Sequence, residues 1–334
     1  MDFLPHFPLA SLLAAARKPL LVSCRLPEEG GANPDLRDPD RFSLFDRAQE
    51  AGVDYLDVEY ASAYRPTGKS RTRIILSFHD FTGVPADLLE RVDRMSASGR
   101  GEILKVACRL ASLGEAPLLW DVAKQTTLPV IALGMGPEGV LTRLLYRQQG
   151  CWATYGSVPG LEATAPGQVD VAALADLYRV ETIGPETAIY GVLGFPLGHS
   201  LSPFLHNALL RETGKNARYL PLETRDPEGV RQLAGRINLQ GLSVTMPYKE
   251  TVLSWCRARR PEAEAAGAAN TLARQGGNDP SPAWEAHNTD GIGLARTLEK
   301  ESLAGQRVLL LGAGGAGRAA LRFLADQGAR VVLA

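Results

Sequence analysis

Between residues 20 and about 158, short strand-like apolar runs alternate with longer helical or loop stretches, and this alternation constrains the fold more than any other feature. The runs are LLVSCR (20–25), YLDVEY (55–60), RIILSFHD (73–80), EILKVACR (102–109), PVIALGMG (129–136) and CWATYGSV (151–158). Intervening segments such as ADLLERVDRMSASG carry apolar residues at helical spacing. Repeated strand-helix units place strands in parallel, and six in a row with small or polar residues at their ends predict a partial (β/α) barrel, two strands short of the usual eight.

Around residues 180–188 the stretch VETIGPETA has Gly and Pro but little apolar periodicity, and it reads as a linker. YGVLGFPLGHSLSPFLHNALLRETG then predicts a strand, a polar loop and a helix, with Ser202 as N-cap, Pro203 at N1 and Gly214 as the C-terminal stop. GLSVTMPYKETVLSWC repeats the pattern with Pro247 at a helix start, and RQGGNDPSPAW is turn-rich. HNTDGIGLARTLEK leads a helix into the closing stretch RVLLLGAGGAGRAALRFLADQGARVVLA. A length of 334 residues suits two or more domains, because single cores stop growing near 250 to 300 residues.

A net charge of -1 supplies no field to steer polyanions, so nucleic acid and anionic membrane are not expected partners. Cys24, Cys108, Cys151 and Cys256 are far apart without CxxC spacing, which predicts neither disulfides nor a metal site but small buried hydrophobes in a reducing cytosol. No apolar run approaches the ~18 to 20 residues of a membrane span. The opening MDFLPHFPLASLLAAARKPLL lacks a basic segment ahead of its apolar stretch, so a cytoplasmic location is expected.

Lys105 lies inside the apolar strand EILKVACR, where an ammonium is costly unless it faces a polar cavity. It is either a strand lysine snorkelling to solvent or a Schiff-base lysine whose lowered pKa frees the amine to attack a ketone. His79, ending RIILSFHD, is either structural or a general acid/base, its unperturbed pKa lying near neutrality.

Several positions read together resolve more. CRLPEEGG (24–31), SFHDF (77–81), LKVA (104–107), LTR (141–143) and TAPGQ (164–168) occur in the order and at the strand ends of type I 3-dehydroquinate dehydratases, and residues 17–180 resemble that family. The resemblance implies that Lys105 forms an imine and that His79 is the general acid/base. It implies that Glu29 orients the histidine, and that Arg25, Arg143, Thr164 and Gln168 contact substrate, Thr164 standing where serine is usual. Two barrel strands precede LLVSCR in the family, the second with a Glu-x-Arg that reaches substrate. The first βαβ is therefore expected to be missing, leaving a truncated barrel without dehydratase activity as written.

Ser200 and Ser202 in GHSLSP sit at a helix start suited to a carboxylate, although N-capping by Ser202 alone explains part of the pattern. Lys249 in VTMPYK and Asp290 in NTDG lie each at the head of a predicted helix, and singly each reads as a solvated helix-end charge. Gly312, Ala313, Gly314, Gly315, Ala316 and Gly317 follow the apolar strand RVLLL and open the helix RAALRFLADQG, the context a dinucleotide phosphate loop requires. With AANTL (268–272) these motifs make residues 189–334 resemble shikimate dehydrogenases. By that resemblance Ser200 and Ser202 bind the substrate carboxylate, Thr245 and Asn270 contact hydroxyls, and Lys249 with Asp290 is the catalytic pair. Ser243 stands where asparagine is frequent, and the cofactor is NADP. The acid or basic residues that separate NAD from NADP are expected at the end of the strand VVLA, where the chain stops.

Together the resemblances imply a truncated dehydratase barrel over 1–183, a shikimate-binding α/β domain over 187–296 and the start of a Rossmann domain over 303–334. They imply consecutive steps toward chorismate and aromatic amino acids, from 3-dehydroquinate through 3-dehydroshikimate to shikimate. Small-molecule substrates are the expected partners, with room for a homodimer. A non-catalytic sensor or regulator, or activity in only one half, is the alternative; retention of Lys105, His79, Lys249 and Asp290 speaks for chemistry.

Overall fold

The computed structural model describes residues 9–31, 35, 37–66, 71–161, 165–198, 200–276 and 282–334, and it separates into two compact units, Met1–Thr182 and Ile183–Ala334. No helix among the described residues is long and apolar enough to cross a membrane.

In the first unit, helix α1 (Leu9–Ala15) precedes strand β1 (Leu21–Ser23), and α2 (Asp38–Ala51) leads to β2 (Tyr55–Glu59) and β3 (Arg73–Asp80). Helix α3 (Leu88–Ala97), β4 (Ile103–Arg109), α4 (Ala116–Gln125), β5 (Val130–Met135) and α5 (Val140–Leu144) follow. The five strands pair in sequential order and all in parallel, the arrangement of successive strands in a (β/α) barrel. Strand side chains alternate between faces. Leu56, Ile74, Leu76, Leu104 and Val106 are buried apolar residues of one parity. The other parity mixes Ile75, Ile103 and Ile131 with Asp57, Ser77, His79 and Lys105, all buried as well. Burial on both faces is why these strands read as continuous apolar runs.

The sixth run, CWATYGSV, is a correction: it adds no strand to this sheet. Only β6 (Gly156–Ser157) is extended, and it pairs in parallel with β7 (Val169–Asp170) as a separate ribbon. The two strands of that ribbon approach closely at Gly156, where a Cβ would stand 2.9 Å from the Val169 carbonyl oxygen. Ala153 and Tyr155 instead pack against the polar-bearing face of the main sheet.

The second unit holds β8 (Ala188–Gly194), α6 (Ser202–Glu212), β9 (Ala217–Glu223), α7 (Pro227–Leu233), β10 (Leu239–Val244), β11 (Cys256–Arg259), α8 (Pro261–Ala266), β12 (Thr271–Gln275) and β13 (Ala283–His287). Six strands run in the order β11-β13-β12-β10-β8-β9, with β9, β8 and β10 parallel and β12 antiparallel to both neighbours. Helix α9 (Asp290–Thr297) then leads to a βαβ unit, β14 (Arg307–Leu310), α10 (Gly315–Asp326) and β15 (Arg330–Leu333), whose strands pair in parallel.

Two helix starts differ from expectation. Leu201 is the N-cap of α6 and Ser202 its first helical residue, so the serine hydroxyl is not spent on the cap. Pro247 starts no α-helix: residues 246–250 are turn, followed by a 3-10 segment Thr251–Trp255. The Lys249 carbonyl, which an α-helix would offer to Leu253, accepts from Ala269 N at 2.7 Å, and Leu253 N–H turns to Glu250. Gly214 ends the turn after α6 at φ +65, with its N–H on the Arg211 carbonyl.

Candidate functional site

The polar-bearing face of the first sheet opens into a pocket lined by Arg25, His79, Lys105, Arg143, Tyr155 and Gln168, among others. Register places Lys105 level with Ser77 on β3, and His79 one pleat further along the same face. Lys105 is 1% exposed, and its Nζ donates to Asp57 Oδ2 at 2.5 Å. Burial draws its ammonium down from the ordinary value, with Arg25 adding to the fall, while the Asp57 carboxylate opposes it.

His79 is oriented from one side. Its Nδ1 stands 2.8 Å from Glu29 Oε2, and its Nε2 is buried without a hydrogen-bond partner among the described residues. When Glu29 is ionised its carboxylate only accepts, so that Nδ1 then carries the proton and Nε2 keeps its lone pair. Burial, with help from Lys105, pushes the imidazole well below its ordinary pKa, so the free ring is the neutral base rather than a group poised at neutrality. Burial, then the charge of Glu59, raises Glu29 to about 7.

Arg143, on α5, is 1% exposed and donates to the Tyr155 and Gly134 carbonyls, both at 3.2 Å. Burial lowers it to about 10, and no carboxylate pairs with it among the described residues. Gln168 is carried by a loop that docks closely: a Cβ on Gly167 would stand 2.2 Å from the Gly136 carbonyl oxygen, and Gly136 N donates to Pro166 O at 3.2 Å. Thr164 lies outside the described residues. Arg25, His79, Lys105, Arg143 and Gln168 thus line one cavity, and Glu29 joins them through His79.

Sequence reasoning missed the acids that hold this face together. Asp57 pairs with Lys105, and Glu59 forms a buried pair with Arg41, whose Nε donates to the Cys24 carbonyl at 2.8 Å. Glu59 also accepts from Leu26 N at 3.1 Å, so β2 anchors the segment that carries Arg25 and Glu29. The signal was present in YLDVEY: two carboxylates at i and i+2 share one face of a strand otherwise buried on both sides.

In the second unit Lys249, Asp290 and Asn270 form a connected chain. Lys249 Nζ donates to Asp290 Oδ2 at 2.6 Å, and Asn270 Nδ2 donates to Asp290 Oδ1 at 2.8 Å. Asn270 Oδ1 accepts from Thr289 N, and Asn288 fixes the helix start by accepting from Asp290 N at 3.0 Å. Ser243 lies on β10, and the Asn270 carbonyl accepts from Val244 N at 2.7 Å. Thr245 N donates to Leu193 O at the end of β8. Ser200 Oγ accepts weakly from Ser202 N at 3.4 Å. Tyr219 was not singled out from sequence; burial raises its phenol, an effect that the hydroxyls of Ser243 and Ser202 offset. Asn207 of α6 places that strand by donating to Tyr219 O and accepting from Tyr219 N.

The glycine loop meets the same region. Gly312 is left-handed at φ +96, and a Cβ on Gly317 would stand 2.2 Å from the Gly312 carbonyl oxygen, so both positions need glycine. Gly314, the N-cap of α10, contributes no side-chain cap, which leaves first-turn N–H groups for a phosphate. A Cβ on Gly315 would meet the Lys249 side chain at 3.1 Å, so this helix start abuts the Lys249–Asp290 pair.

Comparison with known proteins gives these sites a context. A family model described as type I 3-dehydroquinase matches residues 2–185, and one described as shikimate dehydrogenase substrate binding domain matches residues 192–272. A bifunctional 3-dehydroquinate dehydratase/shikimate dehydrogenase, chloroplastic, from Arabidopsis thaliana is 30% identical over 356 residues, covering 100% of this chain and 58% of its own length. An NADP(+) shikimate dehydrogenase from Thermococcus kodakarensis is 41% identical over 151 residues, 44% of this chain and 54% of its own. The solved structure of dehydroquinate dehydratase and shikimate dehydrogenase from S. pombe AroM is 27% identical, covering 97% of this chain and 63% of its own at a TM-score of 0.45. The chain therefore spans less than two thirds of the length of these relatives. Over residues 2–185 it belongs to the type I 3-dehydroquinase family, and over residues 192–272 it carries a shikimate dehydrogenase substrate-binding domain.

Proposed function

We propose that the first unit, contrary to the inactivity expected from the sequence, dehydrates 3-dehydroquinate through an imine on Lys105, because one pocket gathers the side chains that this chemistry needs. The observation that carries this reading is the buried Lys105 amine in one pocket with His79, whose Nε2 has no partner among the described residues, and with Arg25 and Arg143. The Lys105 ammonium gives up a proton, the freed amine adds to the substrate ketone, and a proton returns to the departing oxygen as water leaves, forming an iminium that acts as an electron sink. His79 Nε2 then takes the proton from the neighbouring carbon and returns it to the departing hydroxyl, so that a second water leaves. Hydrolysis of the imine consumes one water and restores Lys105, for a net loss of one. Glu29 holds the imidazole and stabilises its charge when protonated, while Arg25, Arg143, Gln168 and Thr164 hold the carboxylate and hydroxyls.

The second unit is proposed to reduce the product, 3-dehydroshikimate, to shikimate. A reduced nicotinamide dinucleotide bound at Gly312–Gly317 would supply the hydride, and NADP is preferred because relatives named as shikimate dehydrogenases are NADP(+) enzymes. Lys249, held by Asp290, gives the proton to the carbonyl oxygen. Ser200 and Ser202 take the carboxylate, Thr245 with Asn270 the ring hydroxyls, and Ser243 is a further substrate contact.

The test is borohydride trapping with 3-dehydroquinate, read by peptide mass. An adduct on the peptide carrying Lys105, absent in Lys105→Met, is expected. A titration that shows tight ligand binding with neither adduct nor turnover would replace the enzyme with a sensor. Reduction of 3-dehydroshikimate with NADPH and with NADH, lost in Lys249→Met, tests the second half.

A further inference from the structure

The imine reading leaves one side chain of the first pocket without a task. Tyr155 lines that pocket, and its ring centroid stands 4.7 Å from Lys105 Nζ. Its hydroxyl is buried and has no hydrogen-bond partner among the described residues. Its backbone is fixed, since the Tyr155 carbonyl accepts from Arg143 and its ring packs with Ile75, Ile131 and Met135 on the face of the sheet. A phenol held in place with its donor unmet is costly to bury unless a ligand or water completes it.

We propose that Tyr155 holds substrate in the dehydratase site: its ring faces the nitrogen at which the imine forms, and its hydroxyl donates a hydrogen bond to an oxygen of the bound hydroxylated ring ketone. The inference rests on the reading of Lys105 as the imine-forming residue. The ring contributes in one further way. Condensation turns the ammonium position into an iminium, which keeps a positive charge within reach of the same π face, so the cation–π attraction survives the change of covalent state. Burial raises the phenol above its ordinary value, with the Asp57 charge adding and Arg25 opposing, so the hydroxyl stays protonated as a donor wherever the enzyme is folded.

Tyr155→Phe keeps the ring and removes only the donor. For 3-dehydroquinate its KM is expected to rise roughly two- to tenfold, the range of one neutral hydrogen bond, with kcat and adduct yield at saturating ligand unchanged. Tyr155→Leu also removes the π face and is expected to slow trapping at saturation. A merely structural tyrosine would lower the melting temperature of Tyr155→Phe and leave KM alone, and that result overturns the inference. An adduct on the parent chain with an unchanged KM in Tyr155→Phe overturns this inference and spares the imine reading. No adduct on the parent chain overturns both.

Discussion

The Lys105–Asp57 pair offers a prediction whose size follows from its burial. Both side chains are at most 2% exposed. In Asp57→Asn the ammonium loses its counter-charge in a place water does not reach, and it has two recourses: stay charged and unpaired, or give up its proton. Giving it up from an ordinary value of 10.5 at pH 7 spans three and a half pH units, about 5 kcal/mol at 1.36 kcal/mol per unit. That is the ceiling, because an unpaired charge costing more would simply neutralise. It agrees with the roughly 3–5 kcal/mol lost when one partner of a buried pair is removed. The sign follows: the folded variant binds fewer protons than the unfolded chain, so its stability rises with pH, and the penalty should shrink to about 2 kcal/mol at pH 9. Hydrogen exchange of β3 and β4 amides in graded urea, corrected for the intrinsic pH dependence, reads this unit separately. Lys105→Met added to Asp57→Asn should recover most of the loss. A pH-independent penalty below about 1 kcal/mol, or no recovery in the double variant, would refute the reasoning.

Two further outcomes are expected. Glu29 has a folded-state pKa of about 7 against an ordinary 4.5, so the folded chain holds a proton that the unfolded chain has released; the stability it supplies is lost as pH rises through that window, by about 3 kcal/mol. In Glu29→Gln that loss should vanish, and a stability difference between variant and parent that does not change from pH 4.5 to 7.5 would contradict it. Gly317→Ala forces a methyl against the Gly312 carbonyl and should cost about 1–3 kcal/mol in urea unfolding of the second unit and, on the proposed dinucleotide reading, weaken NADP binding; unchanged affinity and stability would show that the loop gives way freely.

Much of the first unit was legible because parallel strands buried on both faces must be apolar almost throughout, which makes the polar exceptions conspicuous. Lys105 and His79 stood out for that reason, and the structure puts them on the same face of adjacent strands. The run CWATYGSV misled because composition does not record which edge a strand joins, and Gly156 pairs with Val169 rather than with the main sheet. Ser202 and Pro247 misled because the same residues serve helix caps and turns, and the choice depends on where distant carbonyls go. The Lys249 carbonyl goes to Ala269, twenty residues away, and so there is no helix at Pro247.

By itself the sequence determined the run of parallel strands in the first unit and the polar residues set into them, since strand periodicity and glycine at forced backbone positions are local properties, while the two proposed chemistries rest on the resemblance of its motifs. Only the tertiary structure decided how those residues are charged and aimed. Glu29, fifty residues from His79, leaves Nε2 free, and Asp57, forty-eight residues from Lys105, holds its ammonium. Desolvation and pairing depend on what folds against a group, and no local pattern encodes that.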